Sequence, residues 1–225
     1  MTKLILGTAQ FGSDYGVKHD GQPSEKEIEN IARVAWDGGI RVIHTSWQYG
    51  LPKICEAIFS EFEWIEKDKN DPDLFHWGER VGFSSYGQPM PWSSVLTMVN
   101  LPINILGNHY LNFARWVRKN DWTILVRSVF LQGLLLMEEL PSWVQGQARA
   151  HIKLFHHICR KEQYEYYEAA LGWVLGLDEI DKVIVGVNSA RQLEQLLKVS
   201  PLKWDYDFSI TDEMILDPRK WPKAS

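Results

Sequence analysis

The feature of this sequence that most constrains its fold is the alternation of short apolar segments with amphipathic ones. Each of six apolar segments has the length and composition of a β-strand and is followed by a segment with helical character. Repeated strand–helix units are typical of a parallel sheet, because the helix returns the chain to the end at which the next strand starts. The alternation by itself fits both an open doubly wound sheet and a closed barrel. The predicted strands are residues 3–9, 41–46, 80–85, 98–105, 123–129 and 182–187.

The first predicted helix has a clear N-terminal signal. Ser24 is followed three residues later by Glu27, which is the spacing of a capping box, in which each side chain accepts a hydrogen bond from the backbone N–H of the other residue. Glu25, Glu27 and Glu29 are predicted to lie on a solvated face of this helix. The longest helical stretch is predicted over residues 147–175.

One segment interrupts the alternation. Residues 63–79 are polar, contain the run Lys-Asp-Lys-Asn-Asp-Pro-Asp and have no amphipathic period, so we predict an irregular segment there. Residues 201–225 are predicted to form a loop-like C-terminal tail. A chain of 225 residues can bury one substantial core, and residues 1–225 are therefore predicted to form a single α/β domain.

Composition and charge narrow the classes of function. The net charge is −5 and the lysines and arginines are scattered, which argues against a nucleic-acid-binding surface. No apolar stretch approaches the roughly 20 residues of a membrane span, and the N-terminus runs into a strand instead of a signal peptide. Cys55 and Cys159 lack metal or redox spacing, and the histidines are not paired with carboxylates or cysteines. We therefore predict a cytoplasmic protein that binds no metal, membrane or nucleic acid.

Several sequence blocks resemble those of aldo-keto reductases, in the order in which that family carries them. The first is Leu-Gly-Thr-Ala-Gln-Phe-Gly at residues 6–12, followed by Asp-Tyr-Gly-Val at residues 14–17. The resemblance is greatest to the bacterial subgroup that is often encoded with polysaccharide biosynthesis genes. Five further blocks follow at residues 39–50, 81–86, 99–104, 126–135 and 184–193.

The resemblance implies an eight-stranded (β/α) barrel that binds NADPH across the C-terminal ends of its strands and transfers a hydride to a carbonyl group. The third and fourth βα units of the family would have to lie between Ile58 and Arg80, where there are 21 residues. Two such units need about 60 residues, at roughly 30 each. We therefore predict a TIM-type (β/α) barrel truncated to about six βα units, with residues 63–79 in place of the third and fourth.

The resemblance also implies which residues carry out catalysis. Tyr49 matches the tyrosine that donates a proton to the carbonyl oxygen, and the ordinary tyrosine pKa of about 10 must be lowered for that role. His44 stands where the family has an aspartate, and a protonated His44 would lower the pKa of Tyr49 as a lysine does. The strands that carry the family's lysine and histidine are not predicted here, and Lys67 and His76 are the candidates for those two roles within residues 63–79.

The resemblance places the cofactor at the C-terminal ends of the later strands. Ser84, Ser85 and Asn100 match positions that bind the nicotinamide carboxamide, and Arg127 stands where many members stack an aromatic ring on the nicotinamide. The turn at residues 186–189 presents backbone N–H groups that suit a phosphate. The residues implied in cofactor binding are Ser84, Ser85, Asn100, Arg127, Gly186, Asn188, Ser189, Arg191 and Gln192, the last two beside the adenosine phosphate.

Three functions are consistent with these residues. The first is NADPH-dependent reduction of a sugar or small carbonyl compound, with Tyr49 as proton donor and with catalysis impaired or altered because the usual aspartate, lysine and histidine partners are missing. The second is a catalytically inactive relative that acts as a binding or oligomeric interaction protein. The third is non-redox chemistry, such as dehydration or epimerisation, with His44 as the base. Because removing two βα units would expose two strand edges, a homo-oligomer is predicted to cover the gap.

Overall fold

A closed barrel forms the centre of the molecule. The computed structural model describes residues 2–17, 21–71, 73–84 and 95–222. Within these ranges eight strands pair in chain order and the last strand pairs with the first, so the predicted TIM-type barrel fold is confirmed. The strands are β1 (Leu4–Gly7), β2 (Val42–Thr45), β3 (Glu63–Lys67), β4 (Leu74–Trp77), β5 (Arg80–Ser84), β6 (Leu96–Pro102), β7 (Thr123–Arg127) and β8 (Lys182–Gly186).

Helices pack around the outside of the barrel. The α-helices of the described residues are α1 (Ala9–Gly12), α2 (Glu25–Asp37), α3 (Ile54–Ile58), α4 (Leu111–Arg118), α5 (Gly146–Lys161), α6 (Tyr166–Leu175), α7 (Ala190–Leu197) and α8 (Glu213–Leu216). Short 3₁₀ segments are Trp47–Tyr49, Leu134–Leu136 and Pro218–Lys220. The single helix predicted over residues 147–175 is wrong, because the chain turns between α5 and α6. Gln163 takes a left-handed conformation there, with φ of 60°, and Glu165 caps the second helix.

Residues 63–79 are the main departure from the sequence prediction. They form a β-hairpin of β3 and β4 and are not irregular. β3 lies parallel to β2, whereas β4 runs antiparallel to both β3 and β5. An antiparallel hairpin needs no crossover helix, so it supplies two strands from a segment far too short for two βα units. Between α3 and β5 the described residues contain these two strands and no helix.

Apolar packing inside the barrel explains why the hairpin of β3 and β4 forms part of the barrel wall. Side chains alternate between the two faces of a strand, and Phe75 of β4 points inward, where it is fully buried. Gly82 on neighbouring β5 makes room for this ring, since a Cβ at Gly82 would overlap it. The apolar cluster inside the barrel consists of Ile5, Val42, Ile65, Phe75, Met98 and Leu125.

The closed ring removes the gap that the sequence analysis predicted. β4 pairs with both of its neighbours, so no strand edge is left open between β3 and β5. The predicted location of a homo-oligomer interface at this gap is therefore wrong, and association through another surface stays a prediction. Among the described residues, no helix combines the length and apolar character that crossing a membrane requires.

Candidate active site

A large cavity lies over the C-terminal ends of β1, β2, β7 and β8. Its volume is about 950 Å3, which is within the range of small-molecule sites. The C-terminal ends of the strands are also where TIM barrels place their active sites. The predicted site residues that line this cavity are His44, Tyr49, Arg127, Gly186, Asn188 and Gln192.

Tyr49 is held at the cavity by the loop that follows β2. It ends the short 3₁₀ helix, whose first turn is capped by the Ser46 hydroxyl accepting a hydrogen bond from the backbone N–H of Gln48. Gly50 then turns the chain in the left-handed region, with φ of 64°. Gly12 packs directly against this loop, and a Cβ at Gly12 would overlap the backbone of Tyr49 and Gly50. The loop is thus fixed by close backbone contact.

His44 is the inward-facing residue near the end of β2. It is 5% exposed, and its Nε2 atom has no hydrogen-bond partner among the residues that the structure describes. The pKa of His44 is lowered to about 3, mainly by burial and in addition by the positive charges of Lys67 and Arg127. His44 is therefore neutral near pH 7, and the prediction that a protonated His44 lowers the pKa of Tyr49 is wrong.

The depressed pKa of His44 predicts sensitivity to acid. In the unfolded chain His44 binds a proton below about pH 6.5, whereas in the folded protein its pKa is about 3. Between these values the unfolded state binds the extra proton, so stability is lost as the pH falls, by about 1.4 kcal/mol per pH unit. From pH 7 to pH 5 we expect wild type to lose about 2 kcal/mol more than His44→Asn in urea unfolding. Equal losses in the two proteins would contradict a neutral, buried His44.

Lys67 and His76 occupy opposite faces of the hairpin. Lys67 ends β3 on the same face as buried Ile65, at the mouth of the barrel. Burial is the largest cause that lowers the pKa of Lys67, followed by the charge of Arg127. His76 lies on the outer face of β4, where its Nε2 is 2.9 Å from Oδ2 of Asp68. The structure therefore brings Lys67 towards the site and leaves His76 outside it.

Ser84 and Asn100 lie side by side on the inner face of the barrel. They are paired residues of β5 and β6, and both are buried. Within the described part of the chain, neither Oδ1 nor Nδ2 of Asn100 has a hydrogen-bond partner, although a buried amide normally binds through both atoms. Arg127 Nη1 donates a 2.7 Å hydrogen bond to the backbone oxygen of Asn100. Ser85 lies outside the described residues.

The turn between β8 and α7 binds groups of the chain itself. The Gln192 side-chain oxygen accepts from the Asn188 N–H at 2.7 Å, and the Ser189 hydroxyl accepts from the Gln192 N–H. The Ala190 N–H, the first of α7, donates at 2.7 Å to Oε1 of Glu27. Arg191 is exposed and does not line the cavity. These internal acceptors take up much of the donor capacity that the sequence analysis assigned to a phosphate.

Glu27 therefore does not behave as predicted. Its carboxylate accepts hydrogen bonds from the backbone of Ala190 and the side chain of Asn30, and the first of these is the main cause that lowers its pKa. Ser24 still caps α2 by accepting from the Glu27 N–H. The reciprocal half of the capping box is wrong, because the N-terminus of α7 binds the carboxylate instead. Glu25 and Glu29 are exposed, as predicted, and Glu27 is partly exposed.

Sequence reasoning missed several residues of the cavity wall. Gln10 and Tyr15 belong to the first resembling block, so their place beside Tyr49 could have been inferred from it. Gln132 is in the loop after β7, where it has a left-handed φ of 51°. Tyr167 of α6 also lines the cavity, and no local pattern singles it out. Its position depends on how α6 packs.

Two solved structures match the fold of this chain. The chain matches aldo-keto reductase AKR11C1 from Bacillus halodurans, in its holo form, with a TM-score of 0.62 and 12% identity over 89% of this chain and 88% of that one. It matches the glycerol dehydrogenase AKR11B4 from Gluconobacter oxydans with a TM-score of 0.62 and 15% identity, over 100% and 94% of the two chains. No protein-family model matches the sequence, and no curated protein is significantly similar to it. The fold is thus that of aldo-keto reductases.

Proposed function

We propose that this chain is an aldo-keto reductase-type oxidoreductase that reduces a small carbonyl or sugar substrate with a nicotinamide cofactor. The observation that carries the proposal is the cavity at the C-terminal end of the barrel, which Tyr49 and His44 both line. A proton donor, a neutral imidazole and a cavity of about 950 Å3 are combined there, at the end of the barrel where this fold places its active sites. The likeness in fold supports the same assignment.

The residues of the barrel interior fit the nicotinamide end of such a cofactor. A carboxamide has one donor and one acceptor group, and the Asn100 amide offers the complementary pair, both atoms of which are buried and have no partner in the ranges that the structure describes. Ser84 is the neighbouring residue on β5. Leaving such atoms unpaired in a core is costly, so a ligand that pairs with them gains affinity and specificity. When bound in its reduced form, the cofactor supplies the hydride.

The chain's own residues handle the proton. Tyr49 donates its phenolic proton to the substrate oxygen as negative charge develops there. Lys67, which ends β3 at the barrel mouth, is the candidate cation that would favour the tyrosinate that results. Neutral His44 offers an imidazole nitrogen that can donate a hydrogen bond to the same oxygen. His76 is outside the site and no carboxylate occupies position 44, so we expect slower reduction than a complete set of partners would give.

The turn between β8 and α7, where we propose that the adenosine end of the cofactor binds, favours a cofactor without a 2′-phosphate. NADPH carries this dianionic group and NADH does not. At α7 the Glu27 carboxylate already occupies the first helical N–H, and its negative charge would repel a phosphate placed there. The resemblance to aldo-keto reductases implied NADPH; the contacts of Glu27 favour NADH as the form that binds more tightly.

Replacing Glu27 tests this preference. Glu27→Gln retains the oxygen that accepts from Ala190 but removes the charge, so we expect the affinity for NADPH relative to NADH to rise by about tenfold. Glu29→Gln is the matched control, because Glu29 is exposed on the same helix. The measurement is the dissociation constant of each cofactor for each protein. An unchanged ratio in Glu27→Gln would contradict a role for Glu27 in choosing the cofactor.

The proposed function itself is tested by cofactor titration. The chain has 11 tryptophans, whose emission is quenched by energy transfer when a reduced nicotinamide binds nearby. Saturable binding of NADH or NADPH at micromolar concentrations would support an oxidoreductase and justify screening carbonyl compounds. The absence of binding at millimolar concentrations would contradict it. The alternative, a catalytically inactive relative that binds a ligand or another protein, would then be favoured.

A further inference from the structure

Gln10 lines the cavity from α1, the short helix that follows β1. The core fixes the residues on either side of it. Thr8 is fully buried, and its backbone N–H and its hydroxyl both donate to the backbone oxygen of His44, at 3.1 and 3.2 Å. Phe11 is also fully buried and stacks on Phe59, with the ring centroids 6.0 Å apart. The backbone that carries Gln10 is therefore held in place from both sides.

Gly186 makes room for the side-chain amide of Gln10 at the end of β8. A Cβ atom at Gly186 would lie 2.3 Å from both Nε2 and Oε1 of Gln10, so the amide rests directly on this glycine. Gly186 belongs to a strand and does not have a positive φ, so its backbone conformation is one that alanine also adopts. The close contact with Gln10 is thus what a side chain at position 186 would disturb.

The amide of Gln10 is open to a ligand. Its side chain forms no hydrogen bond with any residue that the structure describes. Gln10 is partly exposed, and the space that it faces is the cavity. An amide offers both a donor and an acceptor. A ligand that packs against Gln10 without pairing with these two groups removes them from water and loses affinity.

Strand register places this amide beside the proposed reaction centre. Gly7 of β1 pairs with His44 of β2 on one side and with Gly186 of β8 on the other. Neighbouring strands are about 4.8 Å apart, so His44 and Gly186 are separated by roughly 10 Å across the barrel mouth. The His44 ring and the Gln10 amide take up part of that distance, and Tyr49 lines the same cavity. A small molecule whose carbonyl oxygen faces Tyr49 and His44 therefore brings its next carbon towards Gln10.

We propose that Gln10 determines specificity for carbonyl compounds that carry a hydroxyl group on the carbon next to the carbonyl. This inference rests on the proposed function, which it narrows to a substrate class. A hydroxyl both donates and accepts, so one such group can pair with Oε1 and Nε2 of Gln10 together. An alkyl group in the same place would leave both atoms unpaired, and a carboxylate, which only accepts, would leave Oε1 unpaired.

The test compares glycolamide with propionamide. The two molecules have nearly the same size, but glycolamide carries a hydroxyl where propionamide carries a methyl group, and a nicotinamide cofactor reduces neither. Each is titrated into the whole protein, with and without saturating NADH, and binding is measured from tryptophan emission or by saturation-transfer NMR. We expect glycolamide to bind at least about tenfold more tightly than propionamide, since propionamide leaves the Gln10 amide unpaired.

Two substitutions remove the amide in different ways. Gln10→Leu keeps a side chain of similar size, and we expect it to abolish the preference for glycolamide and to bind propionamide at least as tightly as wild type. Gly186→Ala should lower the preference too, because the added Cβ would displace the amide. In the double variant the preference should fall no further than in Gln10→Leu, since both substitutions act on one contact.

Gln147→Leu is the matched control. Gln147 is exposed on α5 and does not line the cavity, so this variant should bind both amides like wild type. Circular dichroism of each variant confirms that it is folded.

Several outcomes would overturn the inference. Equal affinities for the two amides would do so, as would an unchanged preference in folded Gln10→Leu. Weaker binding of NADH to Gln10→Leu, with the preference for glycolamide retained, would assign Gln10 to the cofactor instead of the substrate. Cofactor binding without a preference for glycolamide would overturn this inference alone and leave the proposed function standing. A preference for glycolamide without cofactor binding would support the hydroxyl site and contradict the oxidoreductase function.

Discussion

Replacing Tyr49 by phenylalanine is expected to lower the rate of carbonyl reduction by at least about a hundredfold, because general acid catalysis contributes this much or more. The variant retains the ring that lines the cavity and loses only the hydroxyl that we propose as the proton donor. Cofactor affinity should change little, since the predicted nicotinamide contacts are on β5 and β6. The effect should therefore fall on kcat and spare the dissociation constant of the cofactor.

The measurement is the single-turnover rate of reduction with saturating reduced cofactor. Variants of two other tyrosines serve as comparisons for this rate. Tyr15 also lines the cavity, so a loss in Tyr15→Phe without one in Tyr49→Phe would assign the proton to Tyr15. Tyr164 is exposed and packs against Trp204, and Tyr164→Phe should match wild type. Full activity in Tyr49→Phe would refute its role as the proton donor.

The second large effect concerns the hairpin that closes the barrel. Phe75→Ala should destabilise the fold by about 3–5 kcal/mol, the usual cost of removing a buried phenylalanine from a core. The ring is fully buried inside the barrel, and Gly82 beside it has no side chain that could fill the space left by its removal. Since a domain of this kind is stable by only about 5–15 kcal/mol, the loss is a large fraction of the total.

Urea unfolding followed by circular dichroism measures this loss. Phe75→Leu should cost clearly less, because it leaves most of the apolar volume in place. His76→Ala is the control on the opposite face of the same strand, and its partly exposed pairing with Asp68 should contribute little to stability. A loss below about 1 kcal/mol for Phe75→Ala would mean that β4 is not part of the barrel core.

The parts of the site that were predictable come from contiguous motifs. Tyr49 follows β2 within four residues, so the strand and its loop were visible together in the sequence. Arg127 and Gly186 end strands whose apolar runs define them. The carboxyl ends of parallel strands meet at one edge of a sheet, and assigning the strands was therefore enough to bring these residues together.

The hairpin could not be predicted in the same way. β3 and β4 contain five and four residues, which is too short for alternation to stand out from a polar run. The 21 residues between Ile58 and Arg80 are too few for two βα units only if every strand of the barrel is parallel, because a parallel strand needs a crossover of a dozen or more residues. Reversing one strand removes that requirement, and only the pairing of β4 with both neighbours establishes the reversal.

A polar side chain or backbone N–H can bind a group nearby in the sequence or a group on a distant element. The sequence indicates the nearby partner, whereas only the fold shows the distant one. The sequence alone determined the strand–helix alternation and the end of the strand that carries His44 and precedes Tyr49, because periodicity and turn signals act over a few residues. The alternation also fits an open sheet, and the barrel was predicted from the resemblance to aldo-keto reductases. Tertiary structure decided that Glu27 binds Ala190, 163 positions away, and that buried His44 is neutral. Charge states and hydrogen-bond partners depend on desolvation and on distances between elements, which exist only once the barrel has closed.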